Sequence, residues 1–112
     1  MTMALQRTVL VLGRTAPDST RLFPDDLDGS IALVVIAIGW PLTEAQRVVL
    51  DEALALAREH AIVFDAILAG SAAEGVEIVA ARDRVLVAGG RREVRRIERS
   101  LRPRGISARV AR

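Results

Sequence analysis

Apolar residues in this chain are gathered into short runs, with polar and glycine-containing stretches between them. Residues 8–13 read TVLVLG, β-branched and aliphatic positions closed by glycine, and predict a strand. Ile31–Ile38 reads IALVVIAI, apolar without alternation, which suits a strand buried on both faces. Gly39, Trp40 and Pro41 break that run. Thr43 and Gln46 then form a T-x-x-Q capping-box pattern that opens a helix running to about His60. Ala45, Val49, Leu50, Ala53, Leu56 and Ala57 fall on one side of it, with Glu44, Arg47, Asp51 and Arg58 opposite. Alanines on the inner side let such a helix lie close against a sheet.

Residues 62–69 (IVFDAILA) predict a further strand and 70–75 a turn. Residues 76–88 predict either one long strand or two short ones hinged at Arg82 and Asp83. Gly89 and Gly90 end it, and Arg91–Leu101 follows as a helix whose apolar positions Val94, Ile97 and Leu101 make one narrow stripe. Pro103 and Gly105 stop that helix before a last short strand at 106–110. The connection 14–30 is long and polar, with Pro17, Pro24 and the acidic DDLDG of 25–29.

From Ile31 onward the order is strand, helix, strand, strand, helix, strand. That order predicts a single α+β domain over 1–112, with a ferredoxin-like βαββαβ core at 31–112 and both helices on one face of an antiparallel sheet. Residues 1–30 supply an extra N-terminal strand and a long acidic loop, the strand either lengthening the sheet or pairing with a neighbouring subunit. A superfold of this kind hosts many functions and assigns none.

Charge changes the picture more than fold does. All sixteen basic residues are arginine, and eleven lie between Arg82 and Arg112 against three acids, a net of +8. The first eighty-one residues hold five arginines and eleven acids, a net of −6. The formal total of +2 therefore conceals an acidic body and a basic end. Lysine, asparagine, tyrosine and cysteine are absent, a bias that GC-rich coding explains, so arginine in place of lysine is not itself a sign of phosphate recognition. Zero cysteine excludes disulfides, thiolate zinc sites and thiol catalysis. The N-terminal residues lack a signal-peptide layout, and no apolar run reaches the ~18 residues of a membrane span, so a cytoplasmic chain without membrane contact is expected.

The arginine helix is the leading candidate site. With Val94, Ile97 and Leu101 turned inward, Arg92, Arg95, Arg96, Arg99 and Arg102 spread across its outer surface beside Arg91. Like charges three and four apart repel unless an anion compensates them. Gly89 and Gly90, just before the helix, are placed to offer backbone N–H groups to a phosphate or carboxylate. The competing reading is an ordinary solvated face partly neutralised by Glu93 and Glu98. Asp25, Asp26 and Asp28, with Asp51 and Glu52, form a candidate acidic counter-patch through which copies of the chain associate head to tail. Few aromatics (Phe23, Trp40 and Phe64) argue against base-specific RNA binding and leave backbone contact.

Other motifs carry less. DLDGS at 26–30 resembles a D-x-D-G-[ST] phosphatase nucleophile motif, but it precedes a strand rather than ending one, and an acidic turn explains it. A calcium loop fails for want of the closing glutamate. His60, the one histidine, suits a helix C-terminus; with no cysteine, neither a metal site nor a cofactor is expected. Asp65 within an apolar strand requires a solvent-facing edge or an arginine partner such as Arg84, and Trp40 reads as core or interface anchor. Neither Ser71 nor Ser100 has the context of a nucleophile. The expectation is a non-catalytic binding or assembly module, homo-oligomeric, whose arginine helix engages nucleic-acid backbone or an acidic protein surface, its own included. The alternative is a regulatory domain that binds an anionic metabolite at Gly89 and Gly90 between subunits, as ferredoxin-like sheets of the ACT type do.

Overall fold

A computed structural model describes residues 6–15, 31–71, 74, 75, 79 and 83–111. The strands are β1 (Gln6–Leu12), β2 (Ile31–Ile38), β3 (Val63–Ala69), β4 (Arg84–Ala88) and β5 (Ala108–Val110). Among the described residues the helices are α1 (Glu44–Glu59) and α2 (Arg91–Leu101), the latter running into a single 3-10 turn at Arg102–Arg104, and Glu74 and Gly75 are also helical. The expected elements are therefore present, but their arrangement is not the expected one. All five strands are parallel, in the order β3-β2-β1-β4-β5.

This α/β sheet replaces the antiparallel ferredoxin-like sheet, and the reason is a strand boundary. A long strand at 76–88 right after a turn implies a hairpin. Instead β4 begins at Arg84, which leaves residues 70–83 between β3 and β4. A hairpin takes two to five residues or so, whereas a parallel crossover takes roughly a dozen or more. Most of 76–82 lies outside the described residues; Val79 is described, buried and not in a strand.

The N-terminal strand is likewise no addition. β1 is central, paired with β2 from Gln6↔Ile31 to Leu12↔Ala37 and with β4 from Thr8↔Arg84 to Leu12↔Ala88. Its residues from Thr8 to Leu12 are all buried, as are those of β2 from Ala32 to Ala37. Burial on both faces is the mark of a parallel sheet covered twice. Val9, Val11, Val34, Ile36, Val85 and Val87 pack with Val94, Ile97 and Leu101 of α2. Leu10, Leu12, Leu33 and Val35 pack on the other face with Val49, Ala53 and Ala57 of α1.

Opposite helix placement follows from handedness. Crossovers between parallel strands are right-handed almost without exception. The β2-α1-β3 unit steps outward in one direction from β1, and β4-α2-β5 steps outward in the other. The same hand in opposite directions puts the two helices on opposite faces.

Helix limits are set locally. Thr43 Oγ1 accepts from the Gln46 N–H at 3.1 Å, and Gln46 Oε1 accepts from the Thr43 N–H at 2.9 Å, which completes the predicted capping box. At its far end α1 closes through His60 and Ala61, with the Ile62 N–H reaching the Ala57 carbonyl at 2.9 Å. No helix among the described residues is long and apolar enough to cross a membrane.

Candidate functional site

The loops after β1 and β4 meet where the strand order reverses. In open parallel sheets this point, at the C-terminal ends of the strands, is where ligands bind. Here the chain fills it with its own carboxylate. Glu93, in the first turn of α2, accepts from the Arg14 N–H at 2.9 Å and from the Thr15 N–H at 3.0 Å. The Thr15 hydroxyl donates to the same carboxylate at 2.7 Å and accepts from the Gly90 N–H at 3.0 Å. Gly13 makes room for this contact, since a Cβ there would collide with the Glu93 carboxyl group.

Two expectations change as a result. The Gly90 amide, expected to be available to an anion, is taken by Thr15. Glu93, expected to neutralise neighbouring arginines, turns instead into the β1 loop. Gly89 is half-buried at the end of β4, beside the groove between α2 and β5.

The arginines of α2 stand where the helical spacing put them. Arg91, Arg92, Arg95, Arg96, Arg99 and Arg102 are all exposed, while Val94, Ile97 and Leu101 are buried. Among the described residues none of these six forms an ion pair with a carboxylate. Arg92, Arg95, Arg99 and Arg102 follow one another along the outward surface, a row roughly 15 Å long at the ~1.5 Å rise of a helix. Arg91, Arg95 and Arg102 also border two adjoining depressions of about 350 and 280 Å³ between α2 and β5, which share Glu98.

Of the acidic counter-patch, Asp51 and Glu52 lie on α1, across the sheet from α2. Asp51 is exposed and Glu52 half-buried. Asp25, Asp26 and Asp28 lie outside the described residues. The charge of α1 is weak, four acids interspersed with two arginines.

The remaining singled-out residues are settled by position. Asp65 is exposed on the edge strand β3, so of its two predicted settings the solvent-facing edge holds. Arg84 is three strands away and donates to the Thr8 hydroxyl at 3.0 and 2.8 Å. His60 is the exposed C-cap of α1, and Ser100 donates to the Arg96 carbonyl at 3.1 Å. Trp40 is not core: 74% of its surface is exposed. Among the described residues no group of three His, Cys, Asp or Glu is placed to hold a metal ion.

Sequence reasoning missed Arg14 and Thr15 and saw only half of Gln46. Fully buried, Gln46 donates through Nε2 to the Ile38 carbonyl at 2.8 Å and the Leu12 carbonyl at 3.2 Å, tying the ends of β2 and β1 to the start of α1. The capping pattern marked the residue, but its second role needs knowledge of which strands are neighbours. No family model, curated protein or solved structure matches the chain.

Proposed function

We propose that this domain is a non-catalytic binding module whose helix α2 engages an anionic macromolecular surface, the nucleic-acid backbone before others. The observation that carries this reading is the row of exposed guanidinium groups with no described carboxylate partner. Five arginines against two acids within α2 repel one another in the free protein. A row of phosphates removes that repulsion and accepts paired guanidinium donors.

Two observations rank the alternatives below it. A metabolite anion at Gly89 and Gly90 has to displace the Thr15 hydroxyl from the Gly90 N–H and meets the Glu93 carboxylate beside it. A second copy docking through α1 meets a surface whose acids are interrupted by Arg47 and Arg58. Head-to-tail self-association therefore stands as the second reading.

The test is binding of labelled single-stranded and duplex oligonucleotides by the wild-type chain and by a variant carrying Arg92→Glu, Arg95→Glu, Arg96→Glu and Arg99→Glu. Wild-type affinity is expected to fall with salt, log K against log salt having a slope of about −0.9 per phosphate neutralised on duplex DNA. The variant is expected to lose binding while its thermal melt stays close to wild type. Equal affinity in the two proteins rejects the reading, and a salt-dependent fall in mass without oligonucleotide selects self-association.

A further inference from the structure

We infer that the rim at the C-terminal ends of β1 and β2 is a separate site for a nucleoside phosphate, the base stacking on Trp40 and the phosphate held by Arg14. The site does not rest on the arginine row of α2.

Trp40 is the first residue of interest. An indole 74% exposed is an unusual use of the largest apolar side chain, and this one stands just past β2, at the C-terminal rim of the sheet one strand from the switch point between β1 and β4. Val48, Leu54, Val63, Leu68 and Val110 are also exposed, but aliphatic side chains offer no flat π face.

Arg14 is the second. Its side chain runs over Gly39, the residue before Trp40; a Cβ at Gly39 would lie 2.9 Å from Arg14 Cδ. Gly39 also has φ +92°, so both its backbone conformation and the arginine above it call for glycine. The backbone of Arg14 is held from two sides, its N–H by Glu93 at 2.9 Å and its carbonyl by the Thr43 hydroxyl at 3.1 Å. The backbone of Arg14 is thus fixed, and its side chain lies over Gly39, the residue next to Trp40 in sequence. Arg14 is half-buried, and among the described residues no carboxylate pairs with it.

A guanidinium over Gly39 and an exposed indole on the next residue suit a planar base joined to a phosphate. Aromatic stacking tolerates any base, and the guanidinium fork fits phosphate oxygens. Glu93 already takes the Arg14 and Thr15 amides in the adjoining β1–β4 crevice, so the cation this rim offers to the anionic end is the Arg14 side chain.

Trp40 is the only tryptophan and there is no tyrosine, so emission excited at the red edge reports on this residue alone. AMP is expected to quench it saturably in the millimolar range. Adenosine is expected to bind about tenfold more weakly, and inorganic phosphate to shift the AMP curve without quenching. Arg14→Gln is expected to bring AMP down to the level of adenosine, with Arg14→Lys between the two. Should Arg14→Gln melt early, the lysine variant and the AMP-to-adenosine ratio of the wild type carry the test. The charge-reversed α2 protein is expected to bind AMP as wild type does. A 5′-phosphorylated trinucleotide that binds more tightly than AMP identifies a strand end as the source, and equal binding a free nucleotide. No saturable quenching by AMP, or equal affinity for AMP and adenosine, overturns the inference.

Discussion

Thr15 holds Glu93 twice, its backbone N–H at 3.0 Å and its hydroxyl at 2.7 Å both donating to the same carboxylate oxygen. The Arg14 amide adds a third bond, to the other oxygen. A carboxylate that accepts three donors in this way ties the start of α2 to the loop after the central strand. It also puts negative charge next to the N-terminus of α2, where the helix dipole favours it.

Glu93→Gln therefore removes more than charge. An amide presents a donor to one of the N–H groups it replaces contact with, so one of Arg14 and Thr15 is left unbonded. The variant is expected to lose about 1–2 kcal/mol in urea denaturation, discounted for the partly exposed site. Unchanged stability means the contact is incidental.

Gln46 is the more demanding case because it is fully buried. Gln46→Leu fits the volume but leaves the Ile38 and Leu12 carbonyls without the amide they share, and opens the capping box at Thr43. The expected cost is about 2–4 kcal/mol, with faster hydrogen exchange in the first turn of α1. A loss below ~0.5 kcal/mol contradicts the assigned role.

Arg7 and Asp83 join β1 to the residue before β4, Nε to Oδ1 at 3.0 Å and Nη2 to Oδ2 at 2.5 Å. The bond to Asp83 raises the guanidinium above its already high ordinary value, against a smaller opposing effect of burial. A raised value in the folded state means the stabilisation is complete below the unfolded-state value and is lost as pH rises through the folded-state one. For arginine that window lies in strong alkali. Arg7→Ala is therefore expected to weaken the fold by the same amount at pH ~6 and pH ~9, with a small cost because the side chain is 38% exposed. A difference between the two pH values excludes this account of the pair.

Ala61 has φ +52° where α1 ends, a left-handed position that glycine or asparagine ordinarily takes. The Ile62 N–H to Ala57 carbonyl bond requires that turn. Ala61→Gly relieves the strain at the cost of some chain entropy and is expected to stabilise the fold by about 0.5–1 kcal/mol, read as a higher Tm. A lower Tm shows that the strain is not there to relieve.

Much of the molecule was legible in one dimension. The capping box, the extent of both helices, the inward stripe of α2 and its outward arginines all follow from local spacing, and so do the strands, save that β4 begins at Arg84 and not at residue 76. IALVVIAI even announced burial on both faces, a statement at odds with a sheet covered on one face only. That conflict was the available sign of an α/β fold. The boundary at Arg84 concealed it, because a strand taken to begin at residue 76 makes a hairpin look natural.

The chain alone determined which segments extend, which coil and how charge divides between its ends, since propensity, periodicity and capping act between residues a few positions apart. Only the tertiary structure decided that β1 is central, that α1 and α2 lie on opposite faces, that Glu93 bonds the loop after β1, that Trp40 stands in solvent and that Arg14 lies over Gly39. Those outcomes turn on which distant strands become neighbours. A run of aliphatic residues makes the same ladder hydrogen bonds available to a parallel or an antiparallel partner, so choosing between them needs the whole chain.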